Sequence, residues 1–263
     1  MLRSARDDDA DYEAFTRLFP LLRVDDAAPS RARFGAELAP TTVVVEMGGD
    51  VVAYAWFQAF ADEGIVRHLV VSPSAQGRGV GRALLSEVAR RLRVQGLSRW
   101  ALNVKPDNLP ALALYRRLGF VEAYRSVSLR FGWPLVDGLP ARPAVSVGPV
   151  QPGDDARVEA AVRVPRGTLA THRALPGRLL CGAWEGGRVV GAAVFLPAFP
   201  GAYPFRAGDL EVARALLDGV RPAATSPVMN VVVEGQPTLA DALVGHGAVV
   251  TLELVHLEGA LPG

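Results

Sequence analysis

This sequence is poor in the residues that usually announce metal, redox or nucleic-acid chemistry. Cys181 is the only cysteine in 263 residues, which excludes an intramolecular disulfide and any metal site built from several thiolates. The four histidines are scattered with no His-x-x-x-His spacing, so no metal centre is expected. Lys105 is the single lysine, and 28 basic and 27 acidic residues are mixed along the chain to a formal net charge of +1. Without a field of one sign there is no electrostatic case for a nucleic-acid partner or an anionic membrane. Long hydrophobic runs are missing too: the longest, near 189–199, is interrupted by Pro197 and is too short to span a bilayer. Met1-Leu2-Arg3-Ser4 leads into acidic residues rather than an apolar stretch, so no secretory signal is visible and a cytoplasmic location is the expectation.

What the chain does have is apolar residues, at 50% enough for one or two cores, and a glycine cluster between a strand and a helix. The strand is Leu69 to Val71, Ser72-Pro73 breaks it, and Gly77, Gly79 and Gly81 lead into the helical spacing of Val80, Leu84, Leu85, Val88 and Leu92. Glycines let a ligand approach the backbone, and the first N–H groups of a helix have no intrahelical partner. Together with the positive end of the helix dipole, they suit a phosphate or pyrophosphate. Two common phosphate loops fail on the letters. Gly81 is followed by Arg82 and Ala83 rather than Lys-Ser/Thr, and Arg82 or Leu84 stands where Gly-x-Gly-x-x-Gly needs its third glycine. The pattern that fits is Gln-x-x-Gly-x-Gly, at Gln76, Gly79 and Gly81. Downstream come a strand at Arg99 to Val104, then Asn108, Tyr115 and Gly119-Phe120. Asn108 and Tyr115 are seven positions apart, close to two turns at roughly 3.6 residues per turn, and so share a helix face.

In that order these residues resemble the GNAT superfamily of acyl-CoA-dependent N-acyltransferases, over about the first half of the chain. The resemblance implies an N-acetyltransferase with acetyl-CoA as co-substrate, no metal, and the primary amine of a small molecule or peptide as acceptor. Acetyl-CoA is expected between the strands at Leu69 to Val71 and Trp100 to Val104. A β-bulge in the first strand would aim the N–H of Val70 or Val71 at the thioester carbonyl, stabilising the tetrahedral intermediate. The loop residues Gln76, Gly77, Arg78, Gly79, Val80, Gly81 and Arg82 are the expected diphosphate cradle, and Asn108 is expected to hold the pantetheine arm or the neighbouring strand. Tyr115 matches the family's general acid for the leaving thiolate. For the acceptor's proton, His68 borders the reacting strand and an ordinary imidazole titrates near 6.5. Glu63 and Asp62 are the runners-up, acting through water. The rival reading is an acyl-CoA-binding sensor without catalysis, and Tyr115 weighs against it because a passive binder needs no thiolate acid.

The fold expected is α/β with a mixed sheet: two tandem GNAT-like folds, each a twisted mixed β-sheet flanked by helices. Residues 1–132 form the active copy, 133–144 a Pro/Gly-rich linker, and 145–263 a degenerate copy. Asp7 to Asp9 read as the cap of a first helix carrying Tyr12, Phe15, Leu18 and Phe19. Asp25-Asp26 reads as a solvated turn. A glycine-turn hairpin follows at Thr41 to Phe60, and Tyr124 to Phe131 reads as the strand closing the first sheet.

The evidence for duplication is three short matches in one order. Met47 to Phe57 aligns with Glu185 to Phe195, Arg82 to Leu85 with Arg214 to Leu217, and Asp8 to Ala10 with Asp154 to Ala156. The second copy has lost the chemistry: Gly208, Glu211 and Ala213 stand opposite Gln76, Gly79 and Gly81, and Gln236 and Leu243 opposite Asn108 and Tyr115. Completing the acceptor pocket, bracing the sheet and mediating a homodimer are the roles left open to it.

Overall fold

The computed structural model describes residues 1–24 and 27–262, so Asp25-Asp26 lies outside the described residues. The chain divides into two compact units, Met1–Ala123 with His256–Gly263, and Tyr124–Val255.

The first unit opens with β1 (Leu2–Ser4), α1 (Asp9–Leu18) and α2 (Arg31–Arg33), which runs on into a π-helical turn at Phe34–Leu38. There follow β2 (Thr42–Met47), β3 (Asp50–Ala59), β4 (Gly64–Val71), α3 (Val80–Val94), β5 (Arg99–Val104), α4 (Leu109–Arg117) and the start of β6 (Val121–Gly132). Asp8 caps α1 by accepting the Asp11 N–H, as the acidic cluster predicts. One turn later Asp11 is buried and clasped by Arg3 at 2.6 and 2.7 Å, which ties the helix to β1. β1 to β4 pair antiparallel, and β4 to β5 parallel. On one face, α1 and the turn after α2 press Phe15, Leu18, Phe34 and Leu38 onto Val44, Tyr54 and Val70. On the other lies α3, whose predicted apolar stripe Leu84, Leu85, Val88 and Leu92 is fully buried.

The second unit repeats the order. After α5 (Trp133–Asp137) come β7 (Val145–Pro149), α6 (Asp155–Val162), α7 (Thr168–Arg173), β8 (Leu179–Glu185), β9 (Arg188–Leu196), β10 (Gly201–Ala207), α8 (Leu210–Val220), β11 (Val228–Glu234), α9 (Pro237–Gly245) and β12 (Val249–Ala260). Its strand order is β6-β11-β10-β9-β8-β7, with β10 and β11 parallel.

Two expectations about organisation change. Residues 133–139 are not a linker: α5 buries Trp133 and Val136, with Leu139 just beyond, in the second unit's core, and the Trp133 indole donates to Ser226 O at 2.9 Å. Pro134 misleads because a proline in the first turn starts a helix as readily as it breaks one. Tyr124 to Phe131 does not close the first sheet either. That strand pairs antiparallel with β11, from Val228↔Gly132 to Glu234↔Ser126, so the unit boundary falls after Ala123 instead of 132. The place beside β5 is taken by the far half of β12, where Leu261 N–H donates to Ser98 O and Arg99 pairs with Glu258 at 3.0 Å.

Candidate active site

The parallel pairing of β4 with β5 runs Gly64↔Trp100, Ile65↔Ala101, Val66↔Leu102 and stops there. Both strands continue, to Val71 and Val104, so residues 67–71 face a splay. Its cause lies in the register against β3. Trp56 pairs with His68 but Phe57 with Val66, which leaves Arg67 as the extra residue of a β-bulge. The bulge thus sits in the expected strand, ahead of Leu69, Val70 and Val71. Val70 is buried against the α1 core, while Leu69 and Val71 are half-buried.

Beyond Val71 the loop folds back on itself. Gln76 Nε2 donates to Val71 O at 3.0 Å, so this expected ligand residue braces the loop on the end of β4. Gly77 (φ +72) and Gly79 (φ +76) occupy left-handed backbone that favours glycine. Gly81 lies close to α4, where a Cβ would just touch Leu114 Cδ2 at 3.4 Å. Val80 is buried beneath the loop. Among the described residues no side chain caps α3, so its first amides have no side-chain acceptor there. Arg78 and Arg82 flank them, exposed and with no ion pair or hydrogen-bond partner among the described residues.

The second unit supplies an internal control. Between β10 and α8 only residues 208–209 remain, against 72–79 in the first unit. Asp209 caps α8 through the Val212 N–H at 2.9 Å and binds Arg142 at 2.7 Å. Burial opposes its ionisation, but those two donors hold the carboxyl below its ordinary range. A carboxylate of the chain itself therefore fills the anion position. The strands do not splay: beyond a bulge, Phe205 still pairs with Val233, and a buried Arg206–Glu234 ion pair at 2.7 Å bridges the strand ends.

Asn108 caps α4, its Oδ1 accepting the Ala111 N–H at 3.3 Å. Its oxygen is thereby committed to the helix, a task the sequence reading did not assign. Tyr115, two turns on, is buried edge-on to Phe120, with ring centroids 5.8 Å apart. Burial alone pushes the phenol above its ordinary range, so it stays protonated at working pH.

His68 lies among Phe19, Tyr54 and Trp56, at ring distances of 5.7, 6.0 and 4.9 Å, and its Nδ1 is 3.5 Å from the Tyr54 hydroxyl. Burial, with the nearby charges of Arg67 and Arg33, pushes it down to about 3. The same burial disfavours the imidazolium that a general base must become. Glu63, at the start of β4, is pushed up to about 7 by burial and by Glu258 and Asp62. Sequence reasoning missed one buried polar pair, Asn103 Oδ1 and His256 Nδ1 at 2.9 Å. No local signal could have found it, since 153 positions separate the partners.

The fold and the site define a class, tandem α/β units of which one keeps an open parallel-strand crevice and a bare helix start. Residues 9–120 match the model of the Acetyltransferase (GNAT) family. Over the whole chain the fold is that of solved GNAT structures. One is a GCN5-related N-acetyltransferase from Sphaerobacter thermophilus, with a TM-score of 0.69 and 19% identity, covering 100% of this chain and 96% of that one. Another is a tandem GNAT protein from the clavulanic acid biosynthesis pathway, with a TM-score of 0.65 and 18% identity, covering 100% and 99%. In sequence the first half is similar to the mycothiol acetyltransferase of Streptomyces avermitilis, 42% identical over 79 residues, 29% of this chain and 26% of that protein. It is also similar to the [ribosomal protein bS18]-alanine N-acetyltransferase of Escherichia coli, 37% identical over 90 residues, 34% of this chain and 59% of that protein. The chain thus matches about a quarter of the first relative's length and under two thirds of the second's.

Proposed function

We propose that the first unit transfers an acetyl group from acetyl-CoA to a primary amine. The observation that carries this reading is the contrast between two equivalent helices: α8 is neutralised by Asp209, whereas α3 begins bare behind Gly77, Gly79 and Gly81 with Arg78 and Arg82 beside it. Uncapped amides and a helix dipole fit a diphosphate. The unpaired edge of β4 at 67–71 offers main-chain groups to the pantetheine amides, and the N–H of Val70 or Val71 is the oxyanion donor. Alignment of amine and thioester supplies much of the rate. Tyr115, held neutral, returns a proton to the leaving thiolate.

The test is thiol release from acetyl-CoA over a panel of primary amines. Release above the no-amine background supports transfer. Calorimetric binding of acetyl-CoA with no thiol release from any amine would instead make the unit a passive sensor.

A further inference from the structure

The register that places Leu261 beside Ser98 sets His256 across β5 from Asn103, one residue past the last β4–β5 pair. The pair therefore stands at the mouth of the splay. Which face it occupies follows from parity. A Cβ on Gly64 would meet Leu92 of α3, and Gly64 pairs with Trp100, so Trp100 faces α3 and Asn103 faces the opposite side. That is the side of α1 and of His68. Tyr115 packs edge-on to Phe120, whose ring lies 4.6 Å from Trp100, so the phenol belongs to the α3 side. The thiolate acid and the Asn103–His256 pair are thus on opposite faces of the crevice.

The chemistry of the pair is specific. Asn103 Oδ1 can only accept, so Nδ1 of His256 carries the hydrogen and Nε2 keeps the lone pair. Nε2 lies 3.7 Å from Glu258 Oε1 on the same strand, a carboxylate placed to stabilise an imidazolium. Glu258 is half-exposed, joins Arg99 at 3.0 Å and acts on Glu63, while Arg67 and His68 are the charged and titratable groups of β4 on this face. An imidazole oriented through Nδ1, with its Nε2 lone pair available to a proton and a carboxylate beside that nitrogen to stabilise the resulting cation, can act as a general base.

Building on the acetyl-transfer reading, we infer that His256 takes the acceptor's proton through one water, with Asn103 orienting the ring from Nδ1 and Glu258, beside Nε2, stabilising the imidazolium that forms. The ammonium loses one proton to Nε2. The neutral nitrogen then bonds to the thioester carbon, the C–S bond breaks with its electrons going to sulfur, and sulfur takes the proton of Tyr115. The nitrogen's second proton passes to water, from which the phenol is restored. The far half of β12 thereby completes the amine side of a site whose other parts all lie before residue 120.

The experiment compares the full-length chain with His256→Gln, which can still donate to Asn103, and with Glu258→Gln. Thiol release is followed against pH for amines graded in basicity from ethanolamine to O-methylhydroxylamine, with acetyl-CoA affinity read by calorimetry. For ethanolamine, His256→Gln is expected to lower kcat/KM by about 10²-fold and to remove its acidic limb. For O-methylhydroxylamine, which reacts already neutral, the loss shrinks to within about threefold, and acetyl-CoA affinity is unchanged. Glu258→Gln moves the acidic limb to lower pH by roughly one unit, because the imidazolium loses its carboxylate. An equal loss across the amine series, or none, with wild-type activity intact, overturns the role of His256 alone. A wild-type chain that releases no thiol with any amine overturns the acetyl-transfer reading and this one together.

Discussion

Burial acts on Tyr115 and His68 in opposite directions on the pKa axis and to the same end, since each is held in its neutral form. For the phenol that means a proton always available to donate; for the imidazole it means a feeble base. Replacing Tyr115 with Phe keeps the ring against Phe120 and removes only the hydroxyl. Turnover of acetyl-CoA is expected to fall by about 10²-fold with little change in its KM, as steady-state thiol release would show. Glu63 makes the opposite kind of prediction. Its folded pKa, about 7, lies above the ordinary 4.5, so the folded chain binds the extra proton between those values and loses stability as pH rises through them. Glu63→Gln should therefore raise the melting temperature at pH 8 and change it little at pH 5. Equal shifts at both would contradict a buried, proton-holding carboxyl.

Helix starts decide where an anion can bind. α3 and α8 are equivalent in order and in their Arg-Ala-Leu-Leu core turns, yet one opens on eight loop residues ending in Gly79, the other on two ending in Asp209. An Asp at the cap satisfies the second helix by itself, which removes both the donors and the dipole field a diphosphate needs. Gly79→Ala in the first unit puts a side chain at φ +76, a cost of about 1–2 kcal/mol that the loop relieves by moving. The expected result is acetyl-CoA affinity at least tenfold weaker by calorimetry, with turnover at saturation largely kept. The splay has a similar local origin in the one-residue bulge at Arg67.

For the molecule entire, the closed second crevice predicts one acetyl-CoA bound per chain, and none in a chain with Gly79→Ala and Gly81→Val together. A stoichiometry of two would mean that the Arg206–Glu234 bridge opens. Each unit takes in residues distant in sequence: β6 pairs with β11, and His256 onward returns to the first unit. Removing residues 256–263 should therefore cost the first unit an edge strand, lowering its melting temperature and abolishing thiol release, whereas a conventional pair of sequential domains would leave the first intact.

By itself the sequence determined what short-range chemistry fixes. The glycine loop before α3, the stripe of α3, the cap of α1 and the position of Tyr115 on α4 all follow from neighbours a few residues apart, where glycine φ, helical spacing and side-chain caps act. The repeat was legible for the same reason, since each copy carries its own local signals. Trp133, Val136 and Leu139 read as linker in the sequence because proline and glycine mark turns without saying what apolar neighbours will bury. The exchange of β6 and β12 was hidden more deeply. Alternating Val and Leu specify a strand but not the edge it joins, because backbone hydrogen bonds are the same against any partner. Only the folded chain chose which edge each strand completes, and with it brought His256 to Asn103.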